Sequence, residues 1–192
     1  MEPNSNISQP CRVQNAQFDR REGFSLGRSR FVFVLWYFAK SIFFTSAFPW
    51  PSSLKSSILR AFGATIGRGV YLKPRINIHI PWKLVIGDDS WLGEEVAIYN
   101  FEPVVIGANV CISQRAFLCA GNHDYRDIRM RYRNQPIKVG DGAWLGAQVF
   151  VAPGVNVGVE AVATAGSVIV KDLPSQTVCS GNPCVPVKPR WR

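Results

Sequence analysis

The chain has 192 residues, with 22 Lys and Arg against 13 Asp and Glu, for a formal net charge of +9. At 47 % hydrophobic and 18 % charged it can bury a real core, which excludes a disordered chain, and its length suits one domain with an appendage. The positive balance implies an anionic partner (nucleic acid, membrane lipid or a phosphorylated ligand), and no recognisable motif supports nucleic acid.

Residues 1–29 are polar with scattered arginines and read as a flexible or docked arm. They show no apolar core of the kind a secretory signal carries. An apolar helical segment follows over 30–63, densest from Phe31 to Phe48 and flanked by Arg28, Arg30, Lys55 and Arg60. Three readings stay open for it. It packs as a helix on the rest of the protein or on a sister subunit, it lies on a membrane surface with its basic flanks on anionic lipid, or it spans the bilayer. The cysteines, Cys11, Cys111, Cys119, Cys179 and Cys184, are odd in number and form no clustered pair. That argues against a disulfide framework and for a reducing, cytoplasmic compartment.

From residue 64 a period of six emerges. Aliphatic residues recur at Ile66, Leu72 and Ile78; after two extra residues at Ile86, Leu92 and Ile98; and after two more at Ile106, Ile112 and Leu118. A long excursion over 124–136 follows, and the ladder resumes at Val139, Leu145, Val151, Val157, Ala163 and Ile169. The next residue is often small, as at Gly67, Gly87, Gly107, Gly140 and Gly146, so the backbone can turn there without a clash. Three six-residue faces make one triangular coil of about 18 residues, and stacked coils bury a continuous aliphatic column. The ladder therefore predicts an all-β fold, a parallel β-helix of about five coils over 64–173, with a C-terminal extension over 174–192.

The ladder resembles the left-handed β-helix of the hexapeptide-repeat acyltransferases. Five segments narrow the resemblance to sugar O-acetyltransferases of the colanic acid (WcaF-type) group: Phe62–Gly67, Lys73–Asn77 with Pro81–Lys83, Gly121–Tyr125, Asp141–Ala147 and Ser180–Pro183. The likeness runs over about residues 30–190. It implies acetyl transfer from acetyl-CoA to a sugar or glycan hydroxyl in exopolysaccharide biosynthesis, no metal, and a homotrimer whose subunit boundaries hold the CoA arm.

The resemblance makes His123, in Gly121-Asn-His-Asp-Tyr125, the general base. A hydroxyl attacks a thioester only as its proton leaves, and an imidazole with an ordinary pKa near 6.5 suits that role. Asn100 resembles an acceptor-binding Asn of related enzymes; otherwise it is a turn residue before Pro103. Asp124 and Tyr125 flank the base and either orient it, contact the sugar or shape the loop. By resemblance, Gly146, Ala147, Ala165 and Gly166 line the CoA groove, and Lys171 and Lys188 meet its phosphates, although the coil's own turns explain the glycines as well. Arg126, Arg129, Arg131 and Arg133 of the excursion suit a phosphorylated or lipid-linked acceptor, or are solvated loop charge. Arg115 stands where relatives usually carry Gly; it either alters the acceptor pocket or pairs with an acid. Cys119 fills a small-residue slot of the ladder, which leaves little case for a Cys–His acyl-enzyme.

Other classes fare worse. A zinc β-helix of the γ-carbonic-anhydrase kind needs three histidines, and only His79 and His123 exist. A serine O-acetyltransferase usually carries a larger helical N-terminal domain than residues 1–63 can supply. The alternative from a different class is a non-catalytic β-helix scaffold at a membrane surface.

Overall fold

A computed structural model describes residues 11–191, so the first ten residues of the arm lie outside the described residues. The hexad ladder becomes fifteen short strands, three to a coil. The first coil holds β1 (Thr65–Ile66), β2 (Tyr71–Leu72) and β3 (Asn77–Ile78), and the second β4 (Leu84–Ile86), β5 (Trp91–Leu92) and β6 (Ala97–Tyr99). The third holds β7 (Val104–Ile106), β8 (Cys111–Ile112) and β9 (Phe117–Cys119), and the fourth β10 (Ile137–Val139), β11 (Trp144–Leu145) and β12 (Phe150–Val151). The fifth holds β13 (Asn156–Val157), β14 (Val162–Ala163) and β15 (Val168–Ile169). Corresponding strands of successive coils pair in parallel, giving three sheets that form the faces of a left-handed prism.

The register explains why the period matters. Ile66, Ile86, Ile106, Val139 and Val157 stand directly above one another on one face. Leu72, Leu92, Ile112, Leu145 and Ala163 do so on the second, and Ile78, Ile98, Leu118, Val151 and Ile169 on the third. All fifteen are buried. The small residues after them are held by backbone: a Cβ on Gly87 would stand 2.5 Å from the Ala108 nitrogen of the coil above. The C-terminal extension is partly a sixth turn. Leu173 bridges Val157, and β16 (Thr177–Ser180) extends the second sheet in parallel from β14 before β17 (Val185–Pro189) returns antiparallel.

A solenoid leaves the carbonyls of its first coil unpaired, an edge that invites association unless covered. Here the apolar segment covers it with α1 (Arg30–Phe43) and α2 (Ser52–Ala61). Trp36, Phe44 and Leu59 enter the core, and one side chain serves each face. The Arg60 guanidinium donates to Ile66 O and Gly67 O at 3.0 and 2.7 Å. The buried Lys55 ammonium donates to Leu72 O and Lys73 O at 3.1 and 2.9 Å. The Trp36 indole donates to Ile78 O and His79 O at 3.2 and 3.1 Å. The packed-helix reading therefore describes the inner face of α1. Its outer face exposes Phe31, Leu35, Phe38 and Ile42, one stripe at i, i+4, i+7 and i+11. Among the described residues no helix is long and apolar enough to cross a membrane.

Candidate active site

The ladder stops after β9 because the chain leaves the prism at a corner and returns only at β10. The excursion folds on itself as a small hairpin. His123 bridges Tyr132 in antiparallel fashion, the Asp124 N–H donates to Arg131 O at 2.8 Å, and the Arg133 N–H donates to Asn122 O at 2.8 Å. Met130, at the hairpin's turn, takes a left-handed φ of 53°. Its carbonyl lies within hydrogen-bond reach of His123 Nδ1. A carbonyl can only accept, so Nδ1 carries the proton and Nε2 keeps its lone pair.

The half-buried His123 lines a cavity of about 410 Å³ walled by Tyr99, Phe101, Phe117 and Tyr132, a size within the range of small-molecule sites. Cys119 is also in this wall, but its thiol donates to Gly121 O at 3.2 Å and burial pushes its pKa up, so it stays protonated. Asn134 fixes the loop, its Oδ1 accepting the Asn122 N–H at 2.9 Å. Its buried Nδ2 has no acceptor among the described residues.

The arm is docked over this loop. The Phe18 ring meets His123 edge-on at 5.2 Å and Tyr132 at 5.1 Å, and Phe24 packs against Phe101 at 4.9 Å. Glu22 pairs with Arg129 and Arg131 at 3.5 and 3.2 Å. Farther along, Trp82 Nε1 donates to Leu26 O at 2.6 Å. Two of the four loop arginines are thus occupied in holding the arm, with Asp127 taking a further hydrogen bond from Arg131. Arg126 lies against the Tyr125 ring. Arg126 and Arg133 have no carboxylate within ion-pair distance among the described residues.

The other expected site residues divide. Asn100 is fully buried, and its amide clamps one residue of the coil below, Oδ1 accepting the Ile80 N–H at 2.8 Å and Nδ2 donating to Ile80 O. Both ends are used, so Asn100 holds a coil corner, the structural one of its two expected roles. Asp124 Oδ1 accepts the Arg126 N–H at 3.0 Å, and its side chain faces a separate hollow beside Glu22. Tyr125 is 70 % exposed. Neither hydrogen-bonds the imidazole; Met130 is the residue that orients it.

Gly146, Ala147, Ala165 and Gly166 do come together, at the corner between the second and third faces of coils four and five. The Gly166 N–H donates to Ala147 O at 2.8 Å. The two glycines have different causes. A Cβ on Gly146 would meet Ala165 N at 2.6 Å, so the coil itself demands glycine. Gly166 ends a column of left-handed corner residues, Arg75, Glu95, Arg115 and Gln148, all with φ of 58–60°. Those carry side chains; Gly166 does not, and a Cβ there would meet nothing within 4 Å. It leaves the outer surface of the corner open.

Arg115 belongs to this column. Its Nε donates to Glu95 Oε2 at 2.7 Å, and it shares a hollow with Ala147 and Gln148, apart from the His123 cavity. Of its two expected roles, pairing with an acid is the one observed. Lys171 and Lys188 are exposed but lie elsewhere, at the next corner and on β17. A single chain therefore holds His123 at one corner of the prism and the Gly146–Gly166 groove at another. All five cysteines are free, and among the described residues no group of three or more His, Cys, Asp or Glu is placed to hold a metal ion.

No family model matches the sequence. A protein of Escherichia coli named as a colanic acid biosynthesis acetyltransferase, WcaF, is 38 % identical over 176 residues, covering 90 % of this chain and 94 % of that protein. The chain belongs to the hexapeptide-repeat acetyltransferases. A hexapeptide-repeat acetyltransferase of Vibrio cholerae superposes with a TM-score of 0.76 at 21 % identity, over 84 % of this chain and 92 % of that one. A galactoside acetyltransferase solved in complex with coenzyme A gives a TM-score of 0.69 at 25 % identity, over 76 % and 74 % of the two chains. Within this family frame, Tyr132, Met130, Asn134 and Phe18 are the site residues that sequence reasoning missed. The one signal for Phe18 and Phe24 was two aromatics in an otherwise polar arm.

Proposed function

We propose that the chain transfers an acetyl group from acetyl-CoA to a hydroxyl of a sugar in exopolysaccharide assembly of the colanic acid kind. His123 is the general base and transfer is direct. The observation that carries this reading is the imidazole itself: Nδ1 is held by the Met130 carbonyl, so the other ring nitrogen, Nε2, is the one free to take a proton, on a side chain that lines an aromatic-walled cavity. Acetyl-CoA supplies an activated thioester carbonyl. His123 Nε2 takes the acceptor hydroxyl's proton as that oxygen attacks, then gives it to the departing sulfur. The protonated Cys119 thiol offers no competing nucleophile. The aromatic walls suit the apolar faces of a sugar ring.

The groove at Gly146, Ala147, Ala165 and Gly166 accommodates the extended arm of CoA; the left-handed φ of 72° at Gly166 already favours glycine, and its bare outer face, with nothing within 4 Å of a Cβ, leaves room for the arm. Lys171 and Lys188 meet the phosphates. Since groove and base sit at different corners, each site is completed by a neighbouring copy in a homotrimer. The exposed stripe of α1, with Arg28 beside it, rests on anionic lipid at the inner face of the membrane. That same stripe is the observation favouring the second reading, a β-helix scaffold without catalysis.

Thiol release from acetyl-CoA over a panel of sugars, comparing wild type with His123→Ala, separates the two. Acceptor-dependent release that falls about 10²–10⁴-fold in the variant is expected of a general base. Equal rates would remove His123 from the chemistry, and no release with any acceptor would favour the scaffold.

A further inference from the structure

A second and larger cavity, of about 990 Å³, lies between the docked arm and α1. Phe24, Phe33 and Tyr132 form part of its wall, and Arg20, Arg21 and Arg30 stand around it. Among the described residues none of these three arginines has a carboxylate within ion-pair distance. The one carboxylate in the lining, Asp19, accepts the Arg21 backbone N–H at 2.9 Å. The contrast with the neighbouring loop is direct, because Arg129 and Arg131 are both paired there. Arg30 is moreover the first residue of α1, where the helix dipole disfavours a cation.

This cavity adjoins the catalytic one. Tyr132 lines both, and Phe18, in the wall of the larger, packs on the His123 ring. We propose that it is an anion subsite for the acceptor, taking the diphosphate attached to the sugar whose hydroxyl reaches His123. Three guanidinium forks and one carboxylate leave about two net positive charges, more than a lone sugar carboxylate would balance and a match for a diphosphate. The aromatic walls leave room for the group on the far side of the diphosphate. His79, also in the wall, is neutral at pH 7, since burial lowers its pKa to about 4.

The subsite rests on the sugar-transfer reading, so two measurements keep the failures apart. The first is calorimetric binding of inorganic pyrophosphate to the full chain and to a triple variant, Arg20→Gln, Arg21→Gln and Arg30→Gln. These side chains are exposed, and an unchanged melting temperature checks the fold. Binding lost in the triple variant but kept when Lys171 and Lys188 are changed to Gln is expected; binding unaffected by the three Arg changes overturns the subsite. The second compares acceptor KM for a free hexose, its nucleoside-diphosphate derivative and its polyprenyl-diphosphate derivative in micelles. A diphosphate acceptor should show a KM at least about tenfold below the free sugar, and the triple variant should erase that difference without moving the acetyl-CoA KM. Which derivative gains identifies the soluble or lipid source. Equal KM for free and diphosphate-linked sugar overturns the proposal. If no acceptor is acetylated, the transfer reading fails, while the pyrophosphate measurement still decides the subsite.

Discussion

Replacing His79 with Phe should change how stability depends on pH while leaving the fold in place. The His79 ring stacks on Tyr99 at 4.7 Å and meets Phe33 edge-on at 5.6 Å, contacts that a phenyl ring keeps. Its nitrogens make no hydrogen bond among the described residues, so none is lost. Burial, with the Lys40 ammonium adding to it, lowers its pKa from 6.5 to about 4. Proton counting gives the sign. Below pH 6.5 the unfolded chain takes up a proton that the folded chain refuses until about pH 4, so acidification through this window favours unfolding. At 1.36 kcal/mol per pH unit the full window is worth about 3 kcal/mol. Urea unfolding at pH 7 and pH 4.5 reads most of it. Wild type should lose about 2–3 kcal/mol more than the Phe variant. For a chain of this size that is a difference of roughly 5–10 °C in Tm. Asp88, Glu95 and Asp127 have depressed pKa values and weaken the fold on acidification in both proteins, so the difference isolates His79. Identical pH dependence in the two proteins would refute the placement of His79 as a neutral, half-buried ring.

Trp36→Phe removes the indole donor that covers Ile78 O and His79 O, and should cost about 1–3 kcal/mol in denaturant unfolding; no loss would mean that α1 does not cap the first coil. Gly146→Ala forces a methyl to within 2.6 Å of Ala165 N and should cost about 1–3 kcal/mol by the same assay. Arg115→Gly relieves a left-handed φ of 60° but loses an exposed pair with Glu95 and adds chain entropy, so stability should change by less than about 1 kcal/mol. Acceptor KM should not move in that variant, and a changed acceptor KM would return Arg115 to the acceptor pocket.

The prism was legible because a coil repeats one local requirement: an aliphatic residue inside and a turn after it, fifteen times over. Ile66 to Ile169 fall on the faces their spacing assigned. The cap was half legible. The apolarity of residues 31–48 showed that something is buried, but Lys55 and Arg60, read as flanking charge, are the groups that satisfy the first coil's carbonyls. The excursion was opaque for a physical reason. It has no period, and its shape rests on individual hydrogen bonds such as Asn122–Asn134 and His123–Met130 that composition does not announce. Asn100 meets a requirement that its residue type does not announce: at a coil corner the otherwise unpaired Ile80 N–H takes the amide oxygen. The arm's docking depended on Glu22 meeting arginines more than a hundred positions away, and neither end reveals the other.

The division of the site between two corners can be tested by mixing chains. His123→Ala keeps the groove, while Gly166→Trp keeps the base and fills the open corner. Each expressed alone should be nearly inactive in acceptor-dependent thiol release. Co-expressed and randomly assembled, they should regain about a quarter of wild-type activity, because a quarter of the sites then combine an intact His123 with a neighbour's intact groove. Activity in the mixture no higher than in either variant alone would contradict a site completed by a second copy of the chain.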